Sequence, residues 1–407
     1  MNIFVAILGL ALLILIHEAG HFFVARAVGM QPRKFYVGFP PALAKVRRNG
    51  IEYGLGAIPL GGYVKIPGMH RPAPSDVDAH FGRAVHEAPE LSAPVERTKR
   101  ELAEGDMSSA AIEVEPLEDA VRRAELSPPT RRAAERGIAE LHDGLGADAY
   151  WRQRTWKKVA VIFAGPATNL VFAVALLAAV FMIGIPVETT ATVADVDGSA
   201  PAAEIGLREG DRIVAVDGRR VAPDDISRSI RASRGEPIRL TIERDGRVLP
   251  LPQAAPELID DVYRLGFALE PRYERYGVFE SVDLATRETW EVTVLIGESL
   301  GRIVTGRGRD EVASPVGIVQ GSSQALEAGF RYYLQVLALI SLSLALLNLL
   351  PLLPLDGGHI TFSVIEGVRG KALGRPVYER VSMLGLLVVL FLFITGLTND
   401  IGRLSGG

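Results

Sequence analysis

Four stretches of this chain are long and apolar enough to cross a bilayer as helices, each of which takes roughly 20 mostly apolar residues. The first starts at Ile3 and continues through His17 to about Val28. The second is Val159–Ile185, the third about Tyr332–Leu353, and the fourth Val381–Leu397, at the short end of the range. A cleaved signal peptide does not explain the first. No basic residue precedes it, and HEAGHFF stands where a small-residue cleavage site would be. The hydrophobic share of 48% is ordinary; its clustering between strongly polar stretches is what marks a membrane chain.

Lys and Arg near the helix ends set the expected orientation. Arg26, Arg33 and Lys34 follow the first run; Arg152, Arg154, Lys157 and Lys158 precede the second; Arg369, Lys371, Arg375 and Arg380 lie between the third and fourth. Pro186 to Gly206 carries neither residue type. Both termini and the middle domain are therefore expected outside, with the first and third connections cytoplasmic. Only Arg331 argues the other way.

The first connection has two parts. Phe35 to Gly68 alternates β-formers with Gly and Pro, as in IEYGLGAIPLGGYVKIPG, and reads as short strands and turns. From Arg71 to about Asp148 the composition shifts to Ala, Glu, Arg and Pro, which predicts a solvated insertion, partly helical (Thr130–Leu145) and partly disordered. Between Glu188 and Pro271 a compact β-rich unit is expected, with strands at ATVADV, DRIVAVDG, PIRLTIERDG and YRLGFALE and a helix over Asp224–Ser233. Tyr276–Thr305 has helical apolar spacing suited to the outer membrane surface. The expected organisation is thus 1–30 first membrane helix, 31–70 membrane-associated β region, 71–150 charged insertion, 158–186 second helix, 188–271 β-rich domain, 275–325 amphipathic linker, 331–360 third membrane segment and 380–398 fourth helix.

His17-Glu18-Ala19-Gly20-His21 follows directly on the uncharged apolar run from Ile3 to Ile16. On a helix, positions i and i+4 share a face, so both imidazoles can bind one metal ion, with Glu18 beside them as a base for water. A Glu at membrane depth costs about 2–3 kcal/mol unless paired or wetted, so ionisable residues there are functional by default. The chain has no cysteine, so a metal must rest on His and carboxylate, and two His need a third ligand that leaves one position open.

Asp356 supplies that ligand. It lies in NLLPLLPLDGGH, where Pro351 and Pro354 break the third helix and Gly357 and Gly358 permit close backbone approach. Irregular backbone at membrane depth is tolerated only where protein or a wet cavity satisfies it. Topology agrees. His17 lies roughly 20 Å along an inward-running helix, at about 1.5 Å per residue, and Asp356 follows a second inward-running helix. Asn348, near the break, either donates to a tetrahedral oxyanion or bridges helices. His359, two Gly-turn residues beyond Asp356, is expected to make a supporting or interfacial contact. His70, His80, His86 and His142 show no metal-ligand spacing.

With these residues in place, the chain resembles the site-2 protease family of intramembrane zinc metalloproteases, in its RseP-like branch. HEAGH with FFVAR, YVGFPP, IPLGGYVKIPGM, TWKKVAVIFAGPATN, SPVGI and NLLPLLPLDGGH carry the resemblance along most of the chain. It implies Zn2+ held by His17, His21 and Asp356, Glu18 as general base, and a G-x-x-x-N motif at Gly165 and Asn169. GLREGDRIVAVDG resembles a bacterial PDZ domain, and Leu265-Gly266-Phe267 would be its peptide-carboxylate loop. The expected fold is a polytopic α-helical membrane protein with about four transmembrane helices, an inserted β-rich PDZ domain and a short membrane-associated β-sheet. Nothing can be carried over to the segment from Arg71 to Asp148.

The expected activity is zinc-dependent hydrolysis of peptide bonds within transmembrane segments, at the cell membrane, with the active site towards the cytoplasm. The family implies single-pass membrane substrates already cut by another protease, such as anti-sigma factors or remnant signal peptides. A loop around Gly61-Gly62-Tyr63-Val64 would hold the unwound substrate as an added strand. The formal net charge of −4 and the lack of any basic domain give no nucleic-acid partner. A scaffold with a merely structural metal has no use for Glu18. A transporter would need more polar residues than Val159–Ile185 carries.

Overall fold

The computed structural model describes residues 2–259, 261–304 and 314–405. They form two compact units, one of Met1–Leu177 with Thr286–Gly407 and one of Ala178–Ala285.

The first unit opens with α1 (Asn2–Ala27), apolar throughout its first half. Its end is set by Gly29, at φ 91°, which lets the Met30 N–H reach back to the Ala25 carbonyl at 2.9 Å. An antiparallel hairpin follows, β1 (Lys34–Arg48) and β2 (Ile51–Lys65). Its strands are longer than the expected short ones, and β2 is used twice. Lys34–Val37 pairs with Gly62–Lys65 on one side and with Glu52–Leu55 on the other. Gly62–Lys65 is therefore an edge, and it lies against α1, where a Cβ on Gly62 would come within 3.1 Å of Glu18 Cγ.

The segment expected to be partly disordered is instead a packed helical unit. It comprises α2 (Pro74–Glu87), α3 (Ser92–Glu104), α4 (Met107–Arg123) and α5 (Pro128–Leu145). Phe81, Leu91 and Leu117 are fully buried among Val77, Val95, Val114, Val121 and Ile138. Each such side chain contributes about 1.5–3 kcal/mol by leaving water.

Next comes α6 (Thr155–Ile183), the second candidate membrane span. The unit 178–285 is β-rich, as expected. Its strands are β3 (Ile185–Val196), β4 (Arg212–Val216), β5 (Arg219–Arg220), β6 (Ile238–Arg244), β7 (Arg247–Ala254), β8 (Glu257–Ile259), β9 (Val262–Arg264) and β10 (Phe267–Glu274). The main sheet has the order β10-β3-β4-β6-β7. Two helices, α7 (Pro201–Glu204) and α8 (Pro223–Ala232), accompany it. Ile226 and Ile230 of α8 enter a core of Val193, Ile213, Leu240, Ile242 and Leu265.

The chain then continues as α9 (Val278–Val304), α10 (Pro315–Ala328), α11 (Phe330–Asn348), α12 (Asp356–Arg369) and α13 (Arg375–Ser405). Within 275–325, expected as an amphipathic linker, lie α9 and most of α10, and 305–313 is outside the described residues. The third apolar run stops being helical at Asn348, earlier than expected, because Pro351 and Pro354 end the helix inside the apolar letters. The fourth helix is longer than its apolar run. Only 11% of its candidate span is buried in the protein, and Leu386, Leu390 and Phe391 face outward, so its surroundings must be apolar. Four helices in all are long and apolar enough to cross a membrane among the described residues.

Candidate active site

One turn apart on α1, His17 and His21 turn their rings inward and are 7% exposed. Their Nε2 atoms lie 3.2 Å apart. Asp356 opens α12, and its Oδ2 lies 3.1 Å from His17 Nε2 and 3.4 Å from His21 Nε2. The backbone that delivers it is tightly folded. A Cβ on Gly357 would sit 2.2 Å from the Leu349 carbonyl oxygen, and one on Gly358 would sit 2.5 Å from the Leu353 nitrogen. Only glycine allows α12 to begin so close to the turn that precedes it.

Neighbouring helices fix both rings. His21 Nδ1 lies 2.8 Å from the Val161 carbonyl, on α6. A carbonyl can only accept, so the proton is on Nδ1 and Nε2 offers its lone pair. Asn169 of α6 is fully buried. Its amide lies 3.4 Å from His17 Nδ1, its backbone carbonyl accepts from the Ser341 hydroxyl at 2.9 Å, and its Oδ1 has no partner as placed. Turning the amide pairs that oxygen with a proton on His17 Nδ1 and leaves Nε2 of that ring free as well.

Three donor atoms, from His17, His21 and Asp356, lie within 4.8 Å of one another. Two imidazole lone pairs and a buried carboxylate oxygen repel unless a cation sits among them. Space for one exists. A Cβ on Gly165 would fall 2.3 Å from His21 Nε2 and 2.8 Å from His17 Nε2, so α6 leaves the ligand face open only because it carries glycine there. The donor set of two nitrogens and one carboxylate suits Zn2+.

These atoms open on a cavity of ≈ 460 Å³ lined by Glu18, Gly61, Gly62, Tyr63, Val64, Asn348, His359 and several apolar side chains. Asn348 ends α11 and is half-buried rather than fully buried. His359 also faces this space but is not one of the three converging residues. The apolar wall of Ile14, Ile66, Met69, Ile162 and Leu344, and Ser341 behind Asn169, carry no motif that the sequence alone exposes. Leu265, Gly266 and Phe267 belong to the other unit. Leu265 is 2% exposed there, and Gly266 takes φ 80°, with its absent Cβ filled by Ala200.

Apolar spanning helices around a two-histidine, one-carboxylate cluster with an adjacent Glu define a membrane metallopeptidase. The family model described as Peptidase family M50 matches residues 5–392, and the chain belongs to that family. A protein of Agrobacterium fabrum carried under the provisional name of a zinc metalloprotease is 31% identical over 417 residues, covering 98% of this chain and 95% of that protein. The zinc metalloprotease RasP of Bacillus licheniformis is 30% identical, covering 96% of each chain. That of Geobacillus kaustophilus is 28% identical, covering 96% and 95%. The protein is accordingly a zinc metalloendopeptidase of the site-2 protease type.

Proposed function

We propose that this enzyme hydrolyses peptide bonds within transmembrane segments of single-pass membrane proteins, with His17, His21 and Asp356 as zinc ligands and Glu18 as general base. The observation that carries the reading is the convergence of the three donor atoms beside Glu18, just after the apolar run that opens α1. When bound, zinc supplies Lewis-acid polarisation of the scissile carbonyl and acidifies water. Glu18 takes the proton of the attacking water and delivers it to the departing amine nitrogen. Asn169 and the Val161 carbonyl hold the two imidazoles in the tautomer that ligation needs, and Gly165 keeps the ligand face clear. Asn348 lines the same cavity, where its amide N–H can donate to the oxyanion.

A transmembrane helix hides its carbonyls in its own hydrogen bonds, so the substrate must be unwound. Gly62–Lys65 pairs with a strand on one side only. Its free side can hold the unwound segment as an added strand, with Gly61 and Gly62 letting the two backbones approach. We read the unit 188–271 as a PDZ domain in which Leu265-Gly266-Phe267 would cradle a peptide carboxylate, screening substrates that another protease has trimmed, of the anti-sigma-factor or remnant-signal-peptide type. The Lys and Arg distribution supports a cell-membrane enzyme with both termini outside and the site towards the cytoplasm. The direct test is cleavage of a single-pass substrate by wild type and Glu18→Gln. Equal rates in the two would reject the reading.

A further inference from the structure

The cavity wall Gly61–Met69 is held at its far end by the helical insertion as well as by the packing of Ile66 against Ala25, Val161 and Ile162 of the membrane helices. Arg33 and Lys65 stand side by side at the base of the hairpin, with the Arg33 N–H bonded to the Lys65 carbonyl at 2.7 Å. Two cations so placed on neighbouring strands repel. One carboxylate bridges both. Asp143 of α5 accepts from Arg33 Nε at 2.8 Å through Oδ1 and from Lys65 Nζ at 2.7 Å through Oδ2, and its side chain is 12% exposed. Asp148 adds contacts to Arg33 Nη1 at 2.9 Å and Nη2 at 3.2 Å. Just past the insertion, the Tyr150 N–H donates to the Pro67 carbonyl at 2.9 Å and the Trp151 N–H to that of Gly68 at 3.1 Å.

We propose that Asp143 is a positioning residue for peptide-bond hydrolysis, its carboxylate pinning Lys65 and Arg33 so that the edge Gly62–Lys65 stays at the depth and angle a substrate strand requires. This rests on the reading of that edge as the substrate-holding strand. It gives the 71–148 insertion a part in the reaction without contact with the reacting atoms. The insertion has its own core, so whatever moves α5 moves Lys65 with it.

The test uses the full-length, zinc-loaded enzyme in lipid and compares Asp143→Asn, Asp143→Glu and Lys65→Gln. Lys65→Gln leaves the Arg33 contacts to Asp143 and Asp148 in place, so it keeps the insertion docked and serves if Asp143→Asn fails to fold. Amide hydrogen exchange, read in a Glu18→Gln background, needs no turnover and so is independent of the catalytic assignment. The expected result is exchange at Gly62–Lys65 about tenfold faster in Asp143→Asn and Lys65→Gln, with α1 unchanged and zinc content at the wild-type level. In the active enzyme, KM for a trimmed single-pass substrate should rise about tenfold with kcat within about twofold, and Asp143→Glu should recover most of the loss. Unchanged exchange and KM in both variants overturns the proposal, as does a fall in kcat and zinc content with KM unaltered. Activity retained by Glu18→Gln would instead overturn the catalytic reading and leave the exchange result standing.

Discussion

Gly165 faces His21 so closely that a methyl group on its Cα would lie 2.3 Å from the imidazole Nε2. One hydrogen atom on α6 therefore separates an open ligand face from a blocked one. Gly165→Ala should lower zinc affinity by at least about tenfold, since a conflict of that size is relieved only by displacing a ligand. Zinc content after dialysis against a graded chelator checks this. Retention equal to wild type would show that the metal sits elsewhere.

Glu18→Gln keeps all three donor atoms and should bind zinc normally while losing about 100-fold or more in turnover of a single-pass substrate. A chelator should silence the wild type, and added zinc should restore it. Metal analysis and a cleavage assay in detergent read both effects.

Asp356 and Asn348 should separate cleanly. Asp356→Asn removes the only carboxylate among the proposed ligands and should lose zinc, whereas Asn348→Ala should keep it. A fall of about 100-fold in kcat for Asn348→Ala assigns the amide to the oxyanion; a fall below about tenfold assigns it to packing at the end of α11.

Acid should loosen the β-rich unit through Asp211, which is 1% exposed and accepts from Arg244 Nε and Nη2, each at 2.7 Å. Burial opposes ionisation there, but the Arg244 hydrogen bonds and the Arg208 N–H outweigh it, so the folded pKa lies below the ordinary carboxylate range. A depressed carboxylate contributes stability above its unfolded pKa of about 4, and that stability is lost as pH falls through this value towards the folded one. Arg244→Met should cost about 3 kcal/mol at neutral pH, by stranding the buried charge, and should flatten this acid sensitivity. Amide exchange of β4 and β6 against pH is the measurement.

Deleting about Glu188–Pro271 should spare zinc binding, because none of the three proposed ligands lies there. If the unit screens substrates, full-length proteins with bulky outer domains become cleavable without trimming. If it captures trimmed C-termini, trimmed substrate is cut more slowly and intact substrate gains nothing. Wild-type rates on both substrates would rule out either role.

The chemistry was legible because its signals are local. His17 and His21 announce a shared face by their spacing, and Pro351, Pro354, Gly357 and Gly358 announce a broken backbone around Asp356. The strands and helix of the β-rich unit follow from alternation and from Ile226 and Ile230 at helical spacing. The insertion was misjudged because much of its core is made of small residues. Ala84, Ala110 and Ala134 are fully buried, and Gly137 packs against His80 and Phe81. Such positions do not register as apolar faces among so many Glu and Arg. The double use of β2, the Asp143 bridge and the pairing of Ser341 with Asn169 join residues far apart in sequence, and no local pattern encodes such contacts.

The proposed zinc ligands lie far apart in sequence, His17 and His21 on α1 and Asp356 beyond α11. During synthesis at about 5–20 residues per second, HEAGH enters the bilayer tens of seconds before the carboxylate exists. Until Asp356 has been made the nascent chain is an incomplete protease, and its cutting power waits on the later residue.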